Sequence, residues 1–323
     1  MAQNKKEQVF EELVKNRDRY MSGQHLAGTF NVSRTVIWNY IKELQAEGVS
    51  ILTSTRKGYK IENIGSRLSS ALIKEKTSDF WGNIVVAECV ESTNDTAREL
   101  IKNADTNIVV IANEQLAGRG RRGREFLSPK GGLYMSVAFR PNIDISFLQL
   151  ITACTAVSVC EAVDAVVGTY TQIKWVNDIY LNNKKLCGIL TESLISVENK
   201  DLNFLIVGIG INIEKMPETV PDEIREKTIA LKDVDTEIDR NILAAEILHK
   251  LEHHFKLISN KKFIGDYRSR SCVIGKNITV IKENSQMKAK ALDIDDNGAL
   301  IVQYPDGLKE VLNSGEVSLL ISG

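Results

Sequence analysis

Apolar residues recur at two spacings along this chain, and the change from one to the other divides it. Near the start, Ile37, Ile41 and Leu44 stand four and three residues apart, which puts them on one face of a helix. Helices are predicted over residues 7–16 and 22–28, the second capped by Ser22, with Phe30, Asn31 and Val32 as the turn. Ser33 caps a third helix that Gly48 ends, and a β-wing over 51–60 carries Arg56, Lys57 and Gly58. Three helices and a wing make a winged helix-turn-helix. On the third helix Arg34, Thr35, Asn39 and Lys42 face away from the apolar stripe, where a recognition helix needs groups for phosphates and base edges.

Ile64, Gly65 and Ser66 read as a hinge. From about 70 to 270 the pattern alternates strand-like runs with two long amphipathic helices, 146–167 and 238–258. Runs 108–112 and 133–139 are strands. Pieces at 172–176, 179–181 and 186–194 surround Asn182-Asn183, which has the chemistry of a tight hairpin turn. Run 203–213 is apolar on both faces, so it is predicted to be a central strand. Short β-runs at 278–281, 288–294, 299–304 and 308–312 follow, separated by Asp296-Asn297-Gly298 and Pro305-Asp306-Gly307. They predict a small C-terminal β-barrel. The expected domains are 1–65, 66–270 and 271–323.

Composition adds little to this. The 323 residues are 43% hydrophobic and 26% charged with net charge −1, so overall charge points to no partner. Residues 1–65 hold 10 Lys/Arg against 7 Asp/Glu, a mild basic bias at one end. The N-terminus lacks the apolar run of a signal peptide. The longest apolar stretch, 151–167, is broken by Glu161 and Asp164, so no membrane span is expected. Five cysteines without a C-x-x-C pair predict neither a disulfide framework nor a zinc site, and a reducing cytoplasm.

Residues 118–124 read Gly-Arg-Gly-Arg-Arg-Gly-Arg. Glycine lets a backbone approach a ligand closely, and arginine grips phosphate or carboxylate with a two-pronged fork. A strap that closes on a small polyanion is one reading; a solvated basic loop, or one that meets nucleic acid, is the other. Gly118, Gly120 and Gly123 fit the dinucleotide fingerprint, yet Pro129, Gly131, Gly132 and a second strand follow instead of the crossover helix. Arg124-Glu125 also replaces the Lys-Ser/Thr of a phosphate-binding P-loop.

Other segments carry chemistry as well. Lys174 and Lys185 lie in otherwise apolar strand sequence, either beside a ligand's anionic oxygens, with Asp178 as countercharge or metal ligand, or exposed at a hairpin. Two glycines, Gly208 and Gly210, and then Asn212 close the central strand. Ser92 and Thr93 either cap a helix near 95–102 or bind a polar ligand group. Cys187 reads as a packed side chain rather than a nucleophile. His249, Glu252 and His253 match an inverted zinc-protease motif, but helical geometry turns both histidines away from the stripe of Ile242, Ala245, Leu248, Leu251, Phe255 and Ile258.

The ordered series Glu91-Ser92-Thr93-Asn94, Gln115 before the strap, Lys174 to Asp178 with Lys185 and Gly188, and Gly208 to Asn212 resembles the family of bifunctional biotin protein ligases and biotin operon repressors, over nearly the whole chain. The resemblance implies a multidomain α+β fold: a winged helix, a mixed-sheet ligase domain of the biotin/lipoyl type, and an SH3-like β-barrel. It implies ATP and biotin as substrates and Mg²⁺ as cofactor. Biotinoyl-5′-adenylate forms with release of pyrophosphate, and the acyl group then passes to a lysine of a biotin carboxyl carrier domain, such as that of acetyl-CoA or pyruvate carboxylase.

By the same resemblance Ser92, Thr93, Asn94, Gln115, Gly118, Arg119, Gly120, Arg121, Lys185 and Gly188 are biotin-site residues. Lys185 polarises the carboxylate, Arg121 retains the intermediate and Asp178 assists the acceptor amine. Arg121, Arg124, Phe126, Lys174, Asn177 and Asn212 serve the nucleotide. No protein metal ligand is assigned; Mg²⁺ comes with the phosphates, with Asp178 as the single candidate. Ser33, Arg34, Thr35, Asn39, Lys42, Arg56 and Lys57 bind operator DNA, as a homodimer when adenylate is bound. Val176 stands where Pro is usual and Phe126 where Trp is common, which keeps an aromatic platform without its N–H donor. The rival expectations are a lipoate-protein ligase and a non-catalytic ligand-sensing repressor.

Overall fold

The computed structural model describes residues 5–141, 147–195, 202–235, 237–282 and 285–319. Two compact units divide the chain: Met1–Thr77 with Asp239–Ala245, and Ser78–Ile238 with Glu246–Gly323.

The first unit holds α1 (Lys5–Lys15), α2 (Gly23–Phe30), α3 (Arg34–Ala46), the wing strands β1 (Ser50–Ser54) and β2 (Gly58–Asn63), and the short α4 (Ser70–Glu75). Its starts and stops are those the sequence announces. Ser22 accepts from His25 N–H at 3.0 Å, Ser33 accepts from Val36 N–H at 3.2 Å, and Asn31 ends α2 in the left-handed region at φ 50°. Phe10, Leu13, Leu26, Ile37, Ile41 and Leu44 form the core, closed by Ile51 and Ile61 from the wing. Two backbone bonds tie the wing to the loop before α2, Met21 N–H to Tyr59 O at 2.8 Å and the return bond at 2.9 Å. Gly58 (φ 101°) sits in that junction, where a Cβ would lie 2.0 Å from Met21 O. The buried carboxylate of Glu11 accepts from the Ser70 and Ala71 N–H groups at 2.8 and 3.0 Å, satisfying donors at the start of α4.

The second unit is built on a seven-stranded sheet. In chain order its elements are β3 (Asn83–Ala87), α5 (Thr93–Lys102), β4 (Ile108–Ala112), β5 (Leu133–Phe139), α6 (Leu148–Val167), β6 (Gln172–Lys174), β7 (Asp178–Leu181), β8 (Lys184–Ile195), β9 (Leu202–Ile211), α7 (Asp222–Arg225), the part of α8 (Arg240–Lys256) from Glu246 onward, and α9 (Phe263–Ser269). The order is β3-β4-β5-β9-β8-β7-β6, with β3 and β4 parallel and the other pairs antiparallel. β9 therefore occupies the middle, as its two apolar faces predicted. Asn182 (φ 51°) and Asn183 (φ 61°) make the β7–β8 hairpin turn.

α6 is long and apolar enough to cross a bilayer, yet it packs against β8 and α9 as a core helix. Residue 146, the expected start of that helix, lies outside the described residues. In α8, Leu243, Leu248 and Leu251 are buried, but Ile242, expected on the same stripe, is 43% exposed.

The same unit ends in β10 (Asn277–Lys282), β11 (Ser285–Ile294), β12 (Leu300–Gln303), β13 (Lys309–Leu312) and β14 (Glu316–Leu319). The C-terminal segment is β-rich as expected, and among the described residues its strands form an antiparallel sheet ordered β13-β12-β11-β10-β14 that does not close on itself. Closure needs hydrogen bonding between the first and last strands, and β13 and β14 instead form the two edges. Trp175 Nε1 donates to Gly298 O at 3.0 Å, docking this sheet beside the β6–β7 hairpin.

Candidate active site

A cavity of about 160 Å³ opens over β8 and β9, between the N-terminus of α5, the strap 118–124 and the β6–β7 turn. Its floor is made of glycine. Gly188 pairs with Gly210 and Leu190 with Gly208 across the two strands. A Cβ on Gly210 would lie 2.3 Å from the Phe126 ring and one on Gly188 2.8 Å from it, while one on Gly208 would lie 2.3 Å from Asn94 Oδ1. These glycines seat an aromatic ring and an amide directly on the sheet.

The wall beside α5 is a connected polar network. Ser92 caps the helix, accepting from Asp95 N–H at 3.4 Å, which leaves Thr93 for other work. Gln115 Oε1 accepts from the Thr93 N–H at 2.8 Å and from its hydroxyl at 3.0 Å, and Gln115 Nε2 donates to Ser128 at 2.8 Å. Buried Ser136 lies 2.7 Å from Thr93 Oγ1 and 2.6 Å from Asn94 Oδ1, and Asn94 Nδ2 donates to Glu192 at 2.6 Å. Each of these groups is oriented before any ligand arrives.

The strap is an ordered turn, with Gly120 N–H donating to Arg124 O at 2.7 Å and Phe126 N–H to Gly118 O at 2.9 Å. Three of its arginines have partners. Arg119 donates to Asp95 at 2.7 Å, and its guanidinium holds the Asp95 carboxyl below the usual carboxylate range. Arg124 pairs with Glu316 of β14 at 2.7 Å. Arg121 is half-buried and donates to Gly315 O at 3.0 Å; burial lowers its affinity for a proton, with Arg122 adding to the effect. Arg122 is exposed, with a left-handed backbone at φ 57°.

Opposite the strap, Lys185 Nζ lies 2.8 Å from Asp178 and 5.8 Å from the centre of the Phe126 ring. Lys174 Nζ reaches the Tyr180 hydroxyl at 3.4 Å. Asn177 is fixed by a bond from its Nδ2 to Ile189 O at 2.8 Å. Arg119, Arg121, Arg124, Phe126, Lys174, Asn177, Asp178, Lys185 and Gly188 thus line one cavity.

Asn212 does not join them. It lines a second cavity, about 150 Å³, with Leu127, Leu186, Met216 and Ile224, and that cavity shares Phe126 and Lys185 with the first. Asn212 Nδ2 donates to Ile229 O at 3.3 Å, but its Oδ1 is buried without a hydrogen-bond partner. A carbonyl oxygen only accepts, so this buried atom requires a donor from whatever fills the cavity. Sequence reading also missed Ser136, Glu192, Met216, Ile224 and residues 315–317, which approach the site only through folding.

The Cys187 thiol is pushed well above its ordinary range by full burial, so it is a packed group and not a nucleophile. His249 and His253 are exposed, and among the described residues no three His, Cys, Asp or Glu side chains gather as metal ligands. In the first unit, Arg34, Thr35, Asn39 and Lys42 of α3 are exposed, as are Arg56 and Lys57 on the wing; the Ser33 hydroxyl is occupied as the α3 cap.

A winged helix, a glycine-floored mixed sheet and an arginine strap facing a hairpin lysine define a ligase of the biotin and lipoate type joined to a helix-turn-helix. Residues 5–60 match an HTH domain, 86–212 the biotin/lipoate A/B protein ligase family, and 273–320 the biotin protein ligase C-terminal domain. The bifunctional ligase/repressor BirA of Bacillus spizizenii is 33% identical, covering 91% of this chain and 93% of that protein. The Escherichia coli protein of the same name is 28% identical over 93% of both. A biotin protein ligase from Aquifex aeolicus, solved with biotin and ATP, superposes with a TM-score of 0.64 at 28% identity, covering 75% of this chain and all of that one. The chain belongs to the bifunctional ligase/repressor BirA family.

Proposed function

We propose that this chain is an ATP-dependent biotin protein ligase that doubles as a biotin-responsive repressor. The observation that carries the catalytic half is the pair of cavities divided by Phe126 and Lys185. One is polar, with an oriented wall of Thr93, Asn94 and Gln115 suited to the ureido group of biotin. The other is lined by Phe126, Leu127, Leu186, Met216 and Ile224 together with Asn212, whose unpartnered oxygen suits the amino group of adenine. Lys185 stands where a carboxylate from the first would meet an α-phosphate from the second.

Bringing those anions together costs repulsion that fixed cations offset best in a site shielded from water. Lys185 polarises the biotin carboxylate, whose oxygen attacks the α-phosphorus as the bond to the β-phosphate oxygen breaks, releasing pyrophosphate. Arg119 borders the biotin ring, Arg121 and Arg124 hold phosphate, and Lys174 and Asn177 flank them. Gly118, Gly120 and Gly188 permit close approach. In the second step the acceptor amine attacks the acyl carbon and AMP leaves; Asp178 helps remove the amine proton, and Ser92 keeps α5 in place. The described residues form no acidic cluster for a resident ion, and Asp178 already pairs with Lys185. Mg²⁺ would be held by the triphosphate, with Asp178 as the single candidate carboxylate beside it.

The acceptor is a biotin carboxyl carrier domain, as of acetyl-CoA or pyruvate carboxylase. Operator DNA meets Arg34, Thr35, Asn39 and Lys42, with Arg56 and Lys57 on the wing, and Ser33 sets the start of the helix. The adenylate-loaded chain binds as a homodimer, and this work belongs to the cytoplasm. A lipoate ligase or a catalytically silent sensor is disfavoured by the full-length likeness to ligase/repressor proteins. Acid-dependent pyrophosphate exchange tests the reading. Exchange is expected with biotin, absent with lipoate and lost in Lys185→Ala; exchange driven by lipoate alone would contradict it.

A further inference from the structure

The chain has three tryptophans, and two are interior: Trp81 is 0% and Trp175 3% exposed. Trp38 is 52% exposed, at the centre of the outward face of α3. Ile37, Ile41 and Leu44 fill the core from the opposite face, so packing of the helix makes no use of the indole. Arg34 and Lys42 stand one turn to either side of it, and Asn39 beside it. Lys42 Nζ lies 5.8 Å from the ring centre. Glu43, the carboxylate nearest this face in sequence, is drawn to Lys6 of α1 at 3.4 Å. A large apolar group ringed by cations, an amide and a hydroxyl is not the composition of an apolar protein contact, where aromatic and aliphatic neighbours gather. It matches the major groove: cations for phosphates, the amide for a base edge, and an apolar plate for the one apolar group a base pair shows there, the thymine 5-methyl.

We propose that Trp38 reads a thymine 5-methyl group in the operator half-site, and so sets sequence preference where the surrounding cations set only affinity. This rests on the reading of α3 as the DNA-contacting helix. It also explains the tolerance of so large an exposed indole on an otherwise polar face.

The test uses the full chain with biotin and ATP, and a duplex enriched from a random pool by that same protein. Each thymine of a half-site is replaced in turn by uracil, which lacks only the methyl, and binding is followed by fluorescence anisotropy. One replacement should weaken wild-type binding about tenfold and leave Trp38→Ala binding unchanged, with Trp38→Phe between. Because the other tryptophans are buried, acrylamide-quenchable emission of the wild type should also fall when the duplex is added. If the duplex binds but every uracil replacement affects wild type and Trp38→Ala alike, or the emission stays fully quenchable, the proposal is wrong while the DNA reading stands. If no duplex is enriched, the DNA reading fails and the proposal with it.

Discussion

Gly188 and Gly210 face each other across β8 and β9, and the Phe126 ring rests where their side chains would be. That contact sets the boundary between the two cavities, so Gly210→Ala should displace the ring rather than unfold the sheet. The expected result is a rise of about tenfold or more in KM for biotin with little change in Tm, read from exchange kinetics and thermal melting. Asn212 makes a contrasting case. Removing its lone buried acceptor in Asn212→Ala should raise KM for ATP by about tenfold and leave KM for biotin alone, since a donor that loses its partner in a buried site costs about 1–3 kcal/mol. Asp95 gives a pH test. Its carboxyl is held down chiefly by the hydrogen bond from Arg119, so the folded state keeps it ionised below the unfolded value of about 4. Its contribution is present above that value and disappears as pH falls through the lower folded value. Urea midpoints of wild type and Asp95→Asn should therefore differ at pH 6 and converge as pH falls through the lowered folded value. At this scale the sequence disclosed the cations and glycines, because unusual composition marks them. It hid Ser136 and Glu192, ordinary residues that matter only through partners 42 and 98 positions away.

The strap joins two elements that the sequence keeps far apart. Arg121 reaches Gly315 and Arg124 reaches Glu316, each across more than 190 residues. The two anchors differ in strength. The Arg124 side chain is 63% exposed, and such surface pairs contribute about 0–1 kcal/mol. The half-buried Arg121 bond to a carbonyl should contribute more, as charged hydrogen bonds shielded from water do. Trypsin cleavage within 118–124 should accelerate more in Arg121→Ala than in Glu316→Ala, and biotin with ATP should suppress it in the wild type. Equal acceleration in both would show that the anchors count alike. Elements with a clear period, such as β9, α3 and the Asn182-Asn183 hairpin, were legible from sequence. β14 was not, because Glu316–Leu319 has too few residues to show alternation, and the openness of the C-terminal sheet depends on pairing that no local pattern encodes.

For the whole molecule, ligation and repression are linked if adenylate binding beneath the strap also favours a dimer. Sedimentation should show biotin plus ATP tightening self-association, whereas an unchanged dimer constant would leave the two activities uncoupled. Both activities rest finally on one reaction at the meeting point of the two cavities, and the mass of the acceptor reports it. The full chain is incubated with biotin, ATP, Mg²⁺ and a biotin carboxyl carrier domain, and the carrier is weighed by mass spectrometry. A gain of one biotinoyl group with wild type, and none with Lys185→Ala, is the predicted result. A carrier of unchanged mass with the wild-type chain, or an equal gain with Lys185→Ala, would contradict it.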